Sequence, residues 1–322
     1  MGAKRRLGRS NLELTSIGFG GGPVGWLDAP DALEVTTATV AAAWQSGIRY
    51  FDTAPYYGFG NSERRLGKFL RSLPRNQFVL SSKVGRLIRP CFAGDTSSEQ
   101  AVLDYSRDGA MRSIEESLVR LGIASIDIAL IHDIDGWTHG DQQPRRFAEA
   151  LDGAYRALAD LKSNGLVGAI GLGVNEWRVC QAFAERAPVD CILLAGRLTL
   201  LEREPEQTFL PFCEERGIGV IVGGPFNSGI LATGSSEQAR YNYAPATPSI
   251  LAQVRALEAI CTSFRVPLAA AALAYPLRHA AVASVIPGIA TPGEVAAMQK
   301  WTASPIPPEF WPELASHWQT KV

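Results

Sequence analysis

The sequence predicts a (β/α)8 barrel. Three observations point to it: eight short apolar runs recur along the chain, amphipathic helical stretches separate them, and ionisable residues end three of the runs. The candidate strands are residues 17–20, 49–52, 78–83, 126–132, 168–174, 191–194, 219–222 and 283–286. Between them, Met111, Ile114, Leu118 and Leu121 recur at spacings of 3, 4 and 3, and Phe147, Leu151, Tyr155, Leu158 and Leu161 at 4, 4, 3 and 3. Both are helical periods whose apolar faces should pack on a sheet. An open doubly wound sheet often carries a glycine fingerprint at its first turn. Here residues 18–22 read Gly-Phe-Gly-Gly-Gly and lead into Pro23, which lacks the required spacing and suits a barrel-floor or turn feature. Two connections, 84–105 and 224–249, are long enough to suggest functional loops over the barrel mouth. No boundary or repeat divides the 322 residues, so one domain is expected, with a core over about 7–301 and a tail over 302–322.

With 46% hydrophobic and 20% charged residues the chain suits a large buried core. Its net charge of −1, with no basic block beyond Lys4-Arg5-Arg6, argues against a nucleic-acid or anionic-membrane partner and for a small molecule. Cys91, Cys180, Cys191, Cys213 and Cys261 are odd in number and widely spaced, which predicts reduced thiols and neither a disulfide frame nor a zinc site. His139, His279 and His317 have no ligand-like spacing with carboxylates, so no metal is expected and they read as surface or packing residues. The polar Gly8-Arg9-Ser10-Asn11 after the basic run does not resemble a signal peptide, and the charge-free run 217–236 is broken by glycines, Pro225, Asn227 and serines. A cytoplasmic protein that does not cross a membrane is expected; oligomeric state is left open.

In a (β/α)8 barrel the chemistry sits at the C-terminal strand ends. The second strand ends at Asp52, the third at Lys83 and the fourth at His132, with Tyr57 just beyond the second. A phenol titrates near about 10 and exchanges protons poorly at neutral pH unless its anion is stabilised. One ammonium at about 4 Å, at an effective dielectric of about 20, contributes about 4 kcal/mol, or about three pKa units. Lys83 is thus expected to bring Tyr57 toward the neutral range. Asp52 would hold Lys83 charged, and His132 would hydrogen-bond the reacting oxygen. Singly, each of these residues is as well explained by a paired charge or by packing.

The stretch Phe51-Asp52-Thr53-Ala54-Pro55-Tyr56-Tyr57-Gly58-Phe59-Gly60-Asn61-Ser62-Glu63, then Ser82-Lys83, then Asp127-Ile128-Ala129-Leu130-Ile131-His132, resembles the aldo-keto reductase superfamily, and the likeness runs from about Leu7 to about Trp301. The resemblance implies an Asp52–Tyr57–Lys83–His132 tetrad and an NAD(P) cofactor extended across the barrel mouth. It selects Tyr57 over Tyr56, because the tetrad tyrosine directly precedes the glycine. Residues 104–109, 131–133 and 223–231 resemble the branch of L-fucose, D-threo-aldose and L-galactose 1-dehydrogenases, with pyridoxal 4-dehydrogenases similar. That branch implies hydride removal from C1 of a cyclic aldose to give a lactone, with Tyr57 as base, or as acid in the reverse direction.

For the cofactor, the resemblance points to Asn175, to Gly223, Pro225, Asn227, Gly229 and Leu231, and to Ile286, Pro287, Gly288 and Glu294. Gly223 stands where relatives carry a ring that stacks on nicotinamide, and Asn175 could alternatively open the next helix. No Lys or Arg lies between Ser284 and Met298, where NADP-using relatives grip the 2′-phosphate, and Glu294 would repel a phosphate but accept from a ribose hydroxyl. NAD is therefore favoured, with NADP possible if a cation such as Arg240 reaches over; Glu294 could also serve only the helix dipole. Trp26, Tyr56, Asp133, Trp137 and Arg197 are candidate substrate contacts, with Phe59 a further candidate wall and Trp137 alternatively a cap on the barrel's outside. The leading expectation is an aldose 1-dehydrogenase. A pyridoxal 4-dehydrogenase or general aldehyde/ketone reductase comes next, then a non-catalytic nicotinamide-sensing subunit or a phosphate-handling barrel.

Overall fold

The computed structural model describes residues 2–90 and 99–319. Eight parallel strands run in chain order around a barrel: β1 (Phe19–Gly20), β2 (Tyr50–Asp52), β3 (Val79–Val84), β4 (Ile128–His132), β5 (Ala169–Val174), β6 (Cys191–Ala195), β7 (Gly219–Gly223) and β8 (Val282–Ile286). The parallel bridges Ile17↔Val285 and Gly20↔Gly288 bring β1 back to β8. Every predicted strand overlaps an observed one, and the differences lie at strand ends, where pairing rather than apolarity sets the boundary. Ile17, predicted as strand, makes only the isolated bridge.

The helices named below are α1 (Ala32–Gln45), α2 (Asn61–Leu70), α3 (Arg107–Leu121), α4 (Tyr155–Ser163), α5 (Trp177–Ala184), α6 (Phe209–Arg216), α7 (Pro248–Ser263), α8 (Leu268–Ala274), α9 (Pro292–Ala303) and α10 (Phe310–Gln319). In α3, Ile114 and Leu121 are buried, with Met111 and Leu118 packed against them. The helix starts on Ser106, whose side chain accepts from the Gly109 amide, and ends on Gly122 at φ 65°. The periodic stretch from Phe147 to Leu161 is not one regular helix: a π-turn at Ala150–Ala154 precedes α4. There the Ala154 amide donates to the Tyr105 carbonyl at 2.8 Å, and a Cβ on Gly153 would stand 2.5 Å from the same oxygen. Close packing on Tyr105 thus accompanies the extra residue in the turn.

Both terminal segments pack on the barrel. Lys4–Arg6, read only as a short basic run, pairs antiparallel with Glu13–Thr15. The hairpin brings Leu7 and Leu14 into the inner cluster with Tyr50, Ile128, Leu130 and Ile221, and Leu7 lies against Gly219 at the start of β7, so it plugs the N-terminal end of the barrel. Within the C-terminal tail, α10 buries Phe310 and Leu314 in the outer core and sets Trp318 against Tyr275 at 5.4 Å. Cys180, Cys191, Cys213 and Cys261 are buried free thiols, and Cys91 lies outside the described residues. Among the described residues, no single helix is long and apolar enough to cross a membrane.

Both long connections have structure of their own. The first carries the antiparallel pair Arg86–Pro90 and Glu99–Leu103. The second carries a ribbon, Arg240–Tyr241 with Ala244–Pro245, whose two-residue tip, Asn242 and Tyr243, has φ of 47° and 64°. Positive φ at both central residues is the geometry of the tight hairpin turns that fit strand twist.

Candidate active site

A cavity of about 960 Å3 opens at the C-terminal ends of the strands. Gly20, Asp52, His132, Val174, Ala195, Gly223 and Ile286, the last residues of seven strands, all line it, and Lys83 lines it from β3. Gly20 and Gly22 therefore belong to the mouth and not to the floor, because parallel strands deliver their C-terminal ends to one face.

Asp52 and Lys83 are 2% and 1% exposed. The Lys83 ammonium donates to both Asp52 oxygens, at 2.9 and 2.7 Å, and to the Thr53 carbonyl at 2.9 Å. Ser81 Oγ donates to Asp52 Oδ1 at 2.7 Å, so the carboxylate is held from two sides. Burial opposes the lysine charge, but Asp52 and the neighbouring Tyr57 outweigh it, and the Lys83 pKa lies above its ordinary value. The Lys83 ammonium sits 4.6 Å from the centre of the Tyr57 ring.

The pKa expected of Tyr57 needs correction. Burial of the phenol and the charge of Asp52 outweigh the pull of Lys83, and Tyr57 is pushed up to about 12. The expectation counted the cation but not desolvation of the phenolate, which depends on an enclosure that no strand pattern reveals. His132 is 5% exposed, and burial, then Lys83 and Arg86, hold its pKa well below the ordinary value, so its imidazole is neutral. Its ring meets Tyr57 edge-on at 5.8 Å, and its Nδ1 is buried with no partner.

The Tyr57 loop is anchored by Gly25, Ser62 and Glu63. Ser62 Oγ donates to the Gly21 carbonyl at 2.7 Å, and fully buried Glu63 accepts from Ser82 Oγ at 2.7 Å and pairs with Arg120. Gly58 has φ 60°, and a Cβ there would stand 1.9 Å from the Gly25 carbonyl oxygen. Gly58→Ala is expected to lose stability by more than the about 1–2 kcal/mol of left-handed strain alone and to displace Tyr57; urea unfolding with a turnover assay checks this, and an unchanged variant would mean the loop relaxes freely.

Of the residues proposed from sequence, Trp26, Tyr56, Asp133, Trp137, Asn175, Arg197, Gly223, Pro225, Asn227, Gly229, Ile286, Gly288 and Glu294 line the cavity. Leu231 and Pro287 do not: Leu231 is fully buried in the core, and the Pro287 carbonyl accepts from the Gly20 amide at 3.0 Å. Phe59 packs behind Trp26 at 5.3 Å rather than facing the cavity. Asn175 does not cap α5, since that position is Glu176. Glu294 forms a capping box with Thr291 at the start of α9 and also borders the cavity. Arg240 is not on the wall; its guanidinium donates to the Tyr243 carbonyl within the ribbon. His139 braces the chain after β4, with its Nε2 2.6 Å from the Asp133 carbonyl and 3.1 Å from the Tyr105 hydroxyl. His279 packs with Tyr275 and lies 3.2 Å from Glu206. Among the described residues no cluster of His, Cys, Asp or Glu could hold a metal ion.

Sequence reasoning missed Arg86 and Tyr243, both on the cavity wall. Gly85, at φ 102°, turns the chain directly after β3, so Arg86 does not follow the strand's alternation. A glycine just past a strand end, followed by a cation, was the available signal. Nothing in the 224–249 stretch marks Tyr243 as the tip of a ribbon.

The cavity fits a dinucleotide at one end. Gly196, Gly223, Gly224 and Gly229 leave that wall without side chains, and Asn227, 3% exposed, has an unpartnered Oδ1 there. Residues 16–319 match the aldo/keto reductase family. The chain is 41% identical to pyridoxal 4-dehydrogenase of Microbacterium luteolum, over 97% of this chain and 96% of that one. It is 36% identical to D-threo-aldose 1-dehydrogenase of a Pseudomonas species, over 95% and 94%. Among solved structures, aldo-keto reductase AKR11C1 from Bacillus halodurans superposes with a TM-score of 0.78 at 25% identity, over 98% and 96% of the two chains. From the barrel, the strand-end cluster and these likenesses it follows that the chain belongs to the aldo/keto reductase family and is an NAD(P)-dependent oxidoreductase.

Proposed function

We propose that the protein oxidises the carbinol carbon of a small cyclic hemiacetal to a lactone, with an aldose reacting at C1 as the substrate and NAD as the cofactor. The observation that carries this reading is the convergence of Tyr57, the Lys83–Asp52 pair and neutral His132 on one cavity that Trp26, Tyr56 and Trp137 also line. Bound NAD(P) would supply the hydride acceptor. The reacting hydroxyl gives its proton to Tyr57 as its carbon gives up hydride, and the C–O single bond becomes a carbonyl. Lys83 favours the phenolate form of Tyr57 that receives this proton, Asp52 holds Lys83 in place, and His132, uncharged, hydrogen-bonds the oxygen without competing for its proton. Trp26, Tyr56 and Trp137 offer flat apolar surface to the ring. The likenesses to D-threo-aldose 1-dehydrogenase and to L-galactose dehydrogenase of Arabidopsis thaliana, 31% identical over 90% of this chain and 85% of that one, support an aldose.

A second reading, pyridoxal, is favoured by the 41% likeness and by the Arg86 guanidinium stacked 4.1 Å over Tyr56. Pyridoxal carries a hydroxymethyl group beside its aldehyde and closes to a cyclic hemiacetal, so the same bonds change. Absorbance of reduced nicotinamide with L-fucose, L-galactose, D-arabinose and pyridoxal, each with NAD and NADP, tests both. If the protein binds cofactor but turns over none of these, the hemiacetal reading fails.

Asn175, Gly223, Asn227, Gly288 and Glu294 would hold the cofactor. The preference for NAD rests on Glu294 and on the cations of the cavity, since Lys83, Arg86 and Arg197 are each paired with a carboxylate. Glu294→Gln keeps an acceptor for the capping box. It should raise kcat/KM for NADP relative to NAD by about fivefold, the equivalent of about 1 kcal/mol for one charge near 4 Å in water. An unchanged ratio would leave Glu294 with its capping role alone.

A further inference from the structure

Among the described residues three cations, Lys83, Arg86 and Arg197, line the cavity, and they are not equally committed. Lys83 spends its donors on Asp52 and Thr53. Arg197 donates to the Asn175 carbonyl, to Glu202 and to Asn242. Arg86 has, among the described residues, a single hydrogen bond, from Nη2 to Asp133 Oδ2 at 2.7 Å. One of its five N–H donors is therefore used, in a side chain only 12% exposed. Its Nε is buried and unpartnered, and its flat face lies over Tyr56. A buried guanidinium held only for structure would have its donors satisfied, because each unmet one is costly.

The position of Arg86 indicates what it faces. Asp133 Oδ2, which accepts from Arg86, is also 3.4 Å from His132 Nε2, so the two side chains meet at one carboxylate oxygen. Asp133 itself sits at φ 44°, and its backbone carbonyl is held by His139 and Tyr105. A non-glycine residue in that conformation, clamped from behind, is a mark of a site whose geometry is imposed. Arg86 therefore borders the part of the cavity beside His132, next to the place where an oxygen held by Tyr57 and His132 would lie.

We propose that Arg86 is a specificity-determining residue that binds an oxygen of the substrate flanking the reacting carbinol. This rests on the hemiacetal reading given above. Two sources fit one chemistry: the 2-hydroxyl of an aldose ring and the phenolic 3-hydroxyl of pyridoxal, on the ring carbon next to the formyl-bearing one, which ionises readily and would pair with a guanidinium. Arg86→Lys would keep the charge and lose the fork geometry, so it should restore binding only in part.

The test crosses the residue with the oxygen. Steady-state kcat/KM is measured for the better aldose and its 2-deoxy analogue, and for pyridoxal and its 3-deoxy analogue, in wild type and in Arg86→Gln. Wild type should favour the oxygen-bearing member of one pair by about tenfold or more, and Arg86→Gln should shrink that ratio to within about twofold. The pair that responds names the source. Equal discrimination in both proteins, or none in wild type, overturns the proposal. Should Arg86→Gln fail to fold, the lactones formed from the same four compounds are titrated into wild type and Arg86→Lys, followed by tryptophan fluorescence. A loss of about tenfold in affinity on deleting the flanking oxygen in wild type that shrinks in Arg86→Lys supports the assignment, and an equal effect in both proteins, equal affinity or no binding by any lactone overturns it. If the four compounds are not oxidised yet the lactone titration shows the oxygen effect, the hemiacetal reading fails and Arg86 retains its role in recognition.

Discussion

Tyr57→Phe is expected to cut turnover by about 10²–10⁴-fold, the usual contribution of a positioned proton-transfer group, while leaving cofactor affinity and folding near wild type. The substitution removes one oxygen from a ring packed against His132 and beneath the Lys83 ammonium, so the cavity changes little in shape. Its pH profile carries the sharper content. Because Tyr57 is pushed up to about 12, the phenol is protonated throughout the working range. In the proposed oxidation the proton acceptor is the phenolate, whose population grows about tenfold per pH unit below that pKa. Oxidation by wild type should therefore climb through the alkaline range, whereas reduction, which uses the protonated form, should not decline until pH approaches about 12. His132 stays neutral across the same range, because its pKa is held well below the ordinary value, and should add no break of its own above neutrality. Tyr57→Phe should lose the alkaline rise. A variant that kept both rate and rise would show that another group moves the proton.

Removing the cation over the Tyr57 ring should produce the largest loss of stability. Lys83→Met fills a similar volume but leaves the Asp52 carboxylate, 2% exposed, with Ser81 Oγ and no counter-ion. Breaking a buried pair from one side costs about 3–5 kcal/mol, and urea unfolding of Lys83→Met should show a decrease of that size. Asp52→Asn added to Lys83→Met removes the stranded charge while the amide oxygen can still accept from Ser81, so the double variant should recover most of the loss and none of the activity. If the double variant were no more stable than Lys83→Met, the loss would come from packing around the lysine stem instead.

The barrel was legible in the sequence because parallel strands covered on both sides must be apolar along their whole length. Runs such as Ile128–His132 and Gly219–Gly223 are fully buried and stand out without any alternation to decode. The candidate site was legible for a related reason: Asp52, Lys83 and His132 interrupt those apolar runs at the end where a barrel collects its chemistry. The N-terminal hairpin was not, because its three-residue strands carry exposed charges on one face and are held by Leu7 and Leu14 in a cavity that exists only once the barrel has closed.

The sequence by itself determined which residues are brought to the barrel mouth: strand ends share one face, and apolar runs mark the strands. Tertiary structure alone decided how those residues behave there. Enclosure overrode the attraction of Lys83 and raised Tyr57, a turn at Gly85 aimed Arg86 into the cavity, and the start of α9 engaged Glu294 in a cap. Each of these depends on distance and burial between residues far apart in the chain, and such terms have no local signature.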